Sequence, residues 1–120
     1  MNEWPNFSDA ELNCRCCGDA NPNLEFVELM DIVQDMRTEL GFPLAISSGY
    51  RCSEHPEEIK KKKPGQHNIA AVDIKVDREK AHQVLELAFK KGFTGIGVNQ
   101  KGNARFIHLD MREFKTVWSY

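Results

Sequence analysis

No run in this 120-residue chain approaches the roughly 20 consecutive apolar residues that a membrane-spanning helix needs, so insertion into a bilayer is not expected. The opening residues, Met1 to Asn6, have neither the basic start nor the apolar run of a secretory signal, and the expectation is cytoplasmic synthesis as a soluble protein. A substrate outside the membrane would then be reached only after lysis, through a pore formed by a partner, or by delivery within a larger particle. Charge of one sign is also lacking. With 16 basic and 18 acidic residues the net charge is −2, which gives no global attraction for nucleic acid, and any basic patch must act locally. Internal repeats, domain linkers and low-complexity segments are absent apart from Lys60 to Lys63. That run reads as a solvated loop tip or, as a minority alternative, an attractor of anionic wall polymers. The hydrophobic share of 41% suffices for a modest core, and one domain spanning residues 1–120 is expected.

Cysteine is scarce and unevenly placed. Three of the four, Cys14, Cys16 and Cys17, crowd into four positions, and the fourth is Cys52. Without an export signal, thiols or a metal are favoured over structural disulfides. Two readings stand: buried or half-buried thiols, or a structural zinc site in which Cys52 or a histidine completes the cluster.

Ser8-Asp-Ala-Glu11 has the form of a capping box and predicts a short first helix. From Leu24 to Leu40, Val27, Met30, Val33, Met36 and Leu40 recur at three- or four-residue steps, which predicts the longest amphipathic helix, ended by Gly41 and Pro43. Leu44 to Ser48 reads as a strand. The segment from Tyr50 to Gln66, with two prolines and no periodicity, reads as a long loop and therefore as a candidate functional surface. Ala71 to Val76 alternates, with Val72, Ile74 and Val76 on one face and Ala71, Asp73 and Lys75 on the other. Asp77 is the expected N-cap of a helix to Lys91 with an apolar stripe of Ala81, Val84, Leu85, Ala88 and Phe89. Gly95 to Val98 and Arg105 to Met111 flank a turn-rich connection and predict an antiparallel pair, with Phe106, His108 and Asp110 sharing one face. The expected fold is α+β, a single antiparallel sheet with helices packed on one face.

A hydrolytic zinc site takes three protein ligands, drawn from histidine nitrogens and a carboxylate, and keeps a fourth position open for water. His67, Asp73 and His108 supply such a set, from a loop and two strands that can be neighbours. The bland alternative is a solvated or core-satisfied role for each.

Three segments follow one another in the chain: Ser48-Gly-Tyr-Arg-Cys-Ser-Glu-His55, Gln66-His-Asn-Ile-Ala-Ala-Val-Asp-Ile74 and Phe106-Ile-His-Leu-Asp-Met-Arg112. Together they resemble the D-alanyl-D-alanine zinc carboxypeptidase family, which shares its fold with the Hedgehog signalling domain and includes phage endolysins and cell-wall endopeptidases. Phe7 to Cys17 and Arg37-Thr-Glu-Leu-Gly-Phe-Pro43 look like the short phage and prophage members, so the resemblance covers nearly the whole chain. It implies zinc on His67, Asp73 and His108, a cation at Arg51 that binds the substrate carbonyl or developing oxyanion, and a peptidoglycan stem peptide or cross-bridge as substrate. The alternative for Arg51 is an ordinary loop salt bridge.

Two departures mark the chain. The family's Ser-x-His-x-x-Gly-x-Ala-x-Asp motif separates histidine and aspartate by seven positions; His67 and Asp73 are six apart, and the motif glycine is missing from Asn68 to Ala71. Either the connecting turn tightens and keeps both ligands, or His67 is displaced. The positions where members carry a general base, two or three before the metal histidine, hold Phe106 and Arg105, and neither side chain can take a proton near neutral pH. Asp110 is the substitute candidate, its alternative being a carboxylate that orients His108 or pairs with Arg112. His82 reads as a surface residue, and His55 lies in the loop with Arg51. The competing readings are a zinc-dependent peptidase, a catalytically impaired peptidoglycan-binding module, and a small cysteine–zinc interaction domain.

Overall fold

The computed structural model describes residues 3–61, 63 and 65–120. Met1 and Asn2, which open the N-terminal segment read above, and Lys62 and Pro64, in and beside the lysine run, lie outside the described residues. The capping box forms as expected. The Ser8 hydroxyl accepts from the Glu11 amide, the Glu11 carboxylate accepts from the Ser8 amide, and helix α1 spans Asp9–Leu12. Helix α2, Leu24–Leu40, ends at Gly41, whose left-handed φ of 77° closes the helix without the steric cost a side chain would bring there. Its buried stripe is Phe26, Leu29, Met30, Val33 and Met36. Val27 and Leu40, expected on that stripe, are only half-buried, so the face turned to the sheet is rotated toward Phe26 and Leu29.

Strand β1 is Ala45–Ser48. The stretch expected to be an unstructured loop contains two single helical turns, α3 at Pro56–Ile59 and α4 at Gln66–Ile69. Each is too short to carry a periodic apolar signal, which is why alternation and helical spacing both miss it. Strand β2 is Ala71–Lys75 and helix α5 is Arg78–Lys91, with Asp77 at its N-cap. Phe89, read as part of the α5 apolar stripe, is exposed instead. Strands β3, Gly95–Asn99, and β4, Phe106–Asp110, form the expected antiparallel pair. A further strand, β5 at Thr116–Ser119, was not visible in the pattern and runs parallel to β3.

The sheet order is β1-β2-β4-β3-β5. Ile46, Ile74 and Ile107 form one cross-strand row and Val72, Leu109 and Ile96 the next, all buried with α2 and α5 in the core. The fold is α+β, with a mostly antiparallel sheet whose core face is covered by these helices. No helix among the described residues is long and apolar enough to cross a membrane. Because side chains alternate along strands, the intervening row, Ser48, Asp73, His108, Gly97 and Trp118, lies on the opposite face. The register shift in β1 between Ile46 and Ser48 brings Ser48 opposite Asp73 at the start of that row.

Candidate metal centre

Asp73 and His108 are direct cross-strand partners on β2 and β4, so their side chains leave the sheet side by side. His67 reaches the same place from α4. A helical turn advances the chain by about 1.5 Å per residue against about 3.3 Å in a strand, so the turn shortens the path between His67 and the strand that carries Asp73. The six-residue spacing therefore keeps both residues together: His67 Nε2 lies 3.2 Å from Asp73 Oδ1, and His108 Nδ1 lies 3.0 Å from the same oxygen. All three residues are buried, and one ligand atom from each falls within 4.8 Å of the others.

The outer nitrogen of each imidazole fixes what the inner one can do. His67 Nδ1 lies 2.7 Å from the Gly49 carbonyl oxygen, which can only accept, so this nitrogen carries the proton and Nε2 faces inward. His108 Nε2 lies 2.7 Å from Asp110 Oδ2, and donation to that carboxylate leaves Nδ1 facing inward. With neutral rings, two nitrogen lone pairs and a carboxylate oxygen converge on one point. Such a set is satisfied only by protons or by a cation. Ligands about 2.0–2.1 Å from a tetrahedral zinc lie roughly 3.3 Å apart, close to the two distances found here. The donor set thus fits zinc in chemistry and in spacing.

In the metal-free centre protons take that place. Burial would raise the Asp73 carboxyl, but hydrogen bonds from His108 and His67 outweigh it and hold the group well below the usual carboxylate range. Burial lowers His108, yet the hydrogen bonds to Asp110 and Asp73 prevail and raise it above its ordinary value. Asp110 is fully buried, and both of its oxygens are engaged. Arg112 Nε donates to Oδ1 at 2.9 Å and Nη2 to Oδ2 at 2.6 Å, while His108 occupies Oδ2 as well. Against the rise that burial would cause, these bonds keep Asp110 well below its ordinary value. A carboxylate held in this way orients an imidazole and is a poor proton acceptor near neutral pH. The geometry fits the orienting alternative for Asp110, not that of a substitute base.

The centre opens into a cleft of about 300 Å³ lined by Arg51, Lys61, Gln66, His67, Asp73, Phe106, His108, Arg112 and Tyr120. Arg51 borders it as expected, placed by its amide, which donates to the His67 carbonyl at 2.9 Å, and by its own carbonyl, which accepts from Asn68 Nδ2 at 2.9 Å. Among the described residues no carboxylate lies within salt-bridge distance of its guanidinium, although its charge helps to lower the buried Glu58 carboxyl. His55 does not border the cleft; its Nδ1 accepts from the Glu57 amide and caps α3. His82 is an exposed residue of α5.

The Asp110–Arg112 pairing was among the alternatives read from the sequence, but the contributors packed around it were not. Arg112 clamps Asp110 and also lies 4.5 Å from the Trp118 ring centroid, while Trp118 packs at 5.1 Å against the His108 ring. Gly95 and Gly97 in β3 make room for these groups: a Cβ at Gly97 would fall 2.6 Å from the Trp118 indole, and one at Gly95 would overlap the Asp110 carboxylate. The signal was present in Gly95-Ile-Gly-Val98, two glycines on one face of a strand, which marks a close approach of other groups. Trp118 and Tyr120 could not be assigned without β5.

A family model, Peptidase M15, matches residues 5–110. The chain belongs to the Peptidase M15 family. The match spans all three centre residues, Arg51 and Asp110, whereas Arg112 and Tyr120, which line the cleft, and Trp118, which packs against His108, lie beyond it. The D-alanyl-D-alanine carboxypeptidase and Hedgehog resemblance stands with this membership. No curated protein matches the chain.

Proposed function

We propose that this M15 chain is a zinc-dependent peptidase that hydrolyses peptide bonds of bacterial peptidoglycan, as a D-Ala-D-Ala carboxypeptidase or a cell-wall endopeptidase. The observation that carries the reading is the convergence of His67 Nε2, Asp73 Oδ1 and His108 Nδ1, with both imidazoles held by outer partners, at a cleft bordered by Arg51. A zinc ion bound there supplies Lewis acidity toward a carbonyl and makes water acidic enough to act near neutral pH. Arg51 stays charged at all relevant pH values and presents fixed donors, which suits an oxygen that gains negative charge. Arg51 borders the cleft beside Lys61 and Arg112, which are paired with Glu58 and Asp110, so its guanidinium is the cation there that best complements the carboxylates that stem peptides carry. The chain would meet such a substrate after lysis or delivery.

One observation favours a second reading, a zinc-containing module that binds peptidoglycan without cleaving it. Among the described cleft residues the only carboxylate side chain is Asp73, a centre residue, and Asp110 is held by Arg112, so no free side-chain carboxylate stands ready to take a proton. The two readings separate when zinc-loaded protein is incubated with defined muropeptides and the products are identified by mass spectrometry. Release of D-alanine or of a split cross-bridge by the wild type, abolished in His108→Ala, is the expected result. Binding to purified sacculi with no product, or undiminished cleavage by His108→Ala, would overturn the peptidase.

A further inference from the structure

A second group of ligating side chains lies apart from the cleft. One sulfur each from Cys14, Cys17 and Cys52 falls within 4.8 Å of the others. Cys14 and Cys52 are buried, Cys17 is exposed, and none is in a disulfide. No histidine joins the three, which removes one of the two completions that the sequence left open.

We propose that Cys14, Cys17 and Cys52 hold a second, structural zinc ion that ties the turn after α1 to the loop leaving β1.

Three features support a metal site rather than three idle thiols. Cys14 and Cys17 stand in a Cys-x-x-Cys-Gly turn, closed by the Gly18 amide donating to the Cys14 carbonyl at 2.7 Å, with Gly18 at a φ of 81° that favours glycine. The two-residue gap is the ligand spacing of zinc knuckles, and it emerges only once the structure brings the Cys17 sulfur, although exposed, within 4.8 Å of those of Cys14 and Cys52. Second, the Cys52 amide donates to Cys14 Sγ at 3.3 Å. An amide aimed at a buried sulfur stabilises negative charge on it and is the kind of outer contact that supports a metal-bound thiolate. Third, the spacing needs little adjustment: thiolates about 2.3 Å from a tetrahedral zinc lie roughly 3.8 Å apart.

The two segments such a metal would join already touch. The Tyr50 amide donates to the Leu12 carbonyl at 2.9 Å, and a Cβ on Gly49 would fall 2.6 Å from that same oxygen. Gly49 supplies the carbonyl that orients His67, and Arg51 precedes Cys52, so the cysteine site would stiffen the loop that serves the first centre. The cysteine site stands on its own residues, and its test reads metal and thiols instead of hydrolysis.

The test reconstitutes the full chain with zinc under reducing conditions and counts metal by native mass spectrometry. The expected result is two zinc ions per wild-type chain, one in His108→Ala and one in Cys17→Ser, a variant at an exposed position that leaves the core intact. Cobalt substitution should give a sulfur-to-metal charge-transfer band that survives in His108→Ala and disappears in Cys17→Ser. In the wild type, zinc should slow alkylation of Cys14, Cys17 and Cys52, and a chelator should restore it. The proposal is overturned if wild type and Cys17→Ser hold the same number of ions, if zinc leaves the alkylation rates unchanged, or if peptide mapping finds a Cys14–Cys52 disulfide in the reduced preparation.

Discussion

Asp110 is the residue whose role the tertiary structure changed most. Its place two after His108 on the same strand face left open whether it accepts a proton from water or steadies the histidine. The bidentate clamp from Arg112 and the 2.7 Å contact to His108 Nε2 leave it no free oxygen for the first task. Asp110→Asn should therefore weaken zinc binding about 10–100-fold, the usual cost of losing an outer partner of a metal ligand, while any activity at saturating zinc is largely retained. Competition with a chromophoric chelator measures the affinity; a variant that binds zinc normally and is inactive would mark Asp110 as the base after all. Arg51, with no carboxylate within salt-bridge distance among the described residues, makes the opposite prediction. Arg51→Ala should leave the zinc count unchanged and lower kcat about 10²–10³-fold, the range for loss of one oxyanion donor. A lower zinc content would show that Arg51 acts through the loop instead of on the substrate.

Among the elements, β3 and α4 do the least expected work. Strand β3 contributes no ligand, yet its glycines create the depth in which Asp110 and Trp118 lie behind His108. Gly97→Ala should cost about 1–3 kcal/mol in urea unfolding through overpacking against the indole, and it should shift Trp118 fluorescence as the ring moves. Unchanged stability and emission would mean that the indole relaxes freely. Helix α4 answers the question that the short spacing raised, because one helical turn places His67 over the strand that carries Asp73. The capping box, α2, β2, α5 and the β3–β4 pair were legible because each carries a cap or a repeating apolar signal longer than a few residues. Helices α3 and α4, four residues each, and β5, with its largely exposed residues, carry no such signal.

For the whole molecule, the ionisation of the centre predicts how metal and pH act together on stability. In the metal-free protein, the raised His108 contributes stability that is fully present below its ordinary value of 6.5 and is lost as pH rises through the higher folded value. Asp73 and Asp110, held below their ordinary 3.8, contribute stability that is present above that value and lost as pH falls through the depressed ones. Zinc competes with protons for the imidazoles, so its stabilisation should grow as pH rises from about 6 to 8, where unpaired donors converge without it. Thermal unfolding with zinc and with a chelator across that range measures the difference in Tm. A difference that is flat or shrinks with pH would argue against histidine ligation.

The sequence by itself determined the candidate ligand types, their order along the chain and the faces of β2 and β4 that Asp73 and His108 occupy, since alternation and capping are local properties of a short window. It also carried the motifs of the M15 family, which the match over residues 5–110 bears out. Only the tertiary structure decided that His67 survives its shortened turn, that Asp110 is spoken for by Arg112, and which three of the four cysteines converge. These are distances between side chains far apart in sequence or on irregular turns, set by register and packing that no local periodicity encodes.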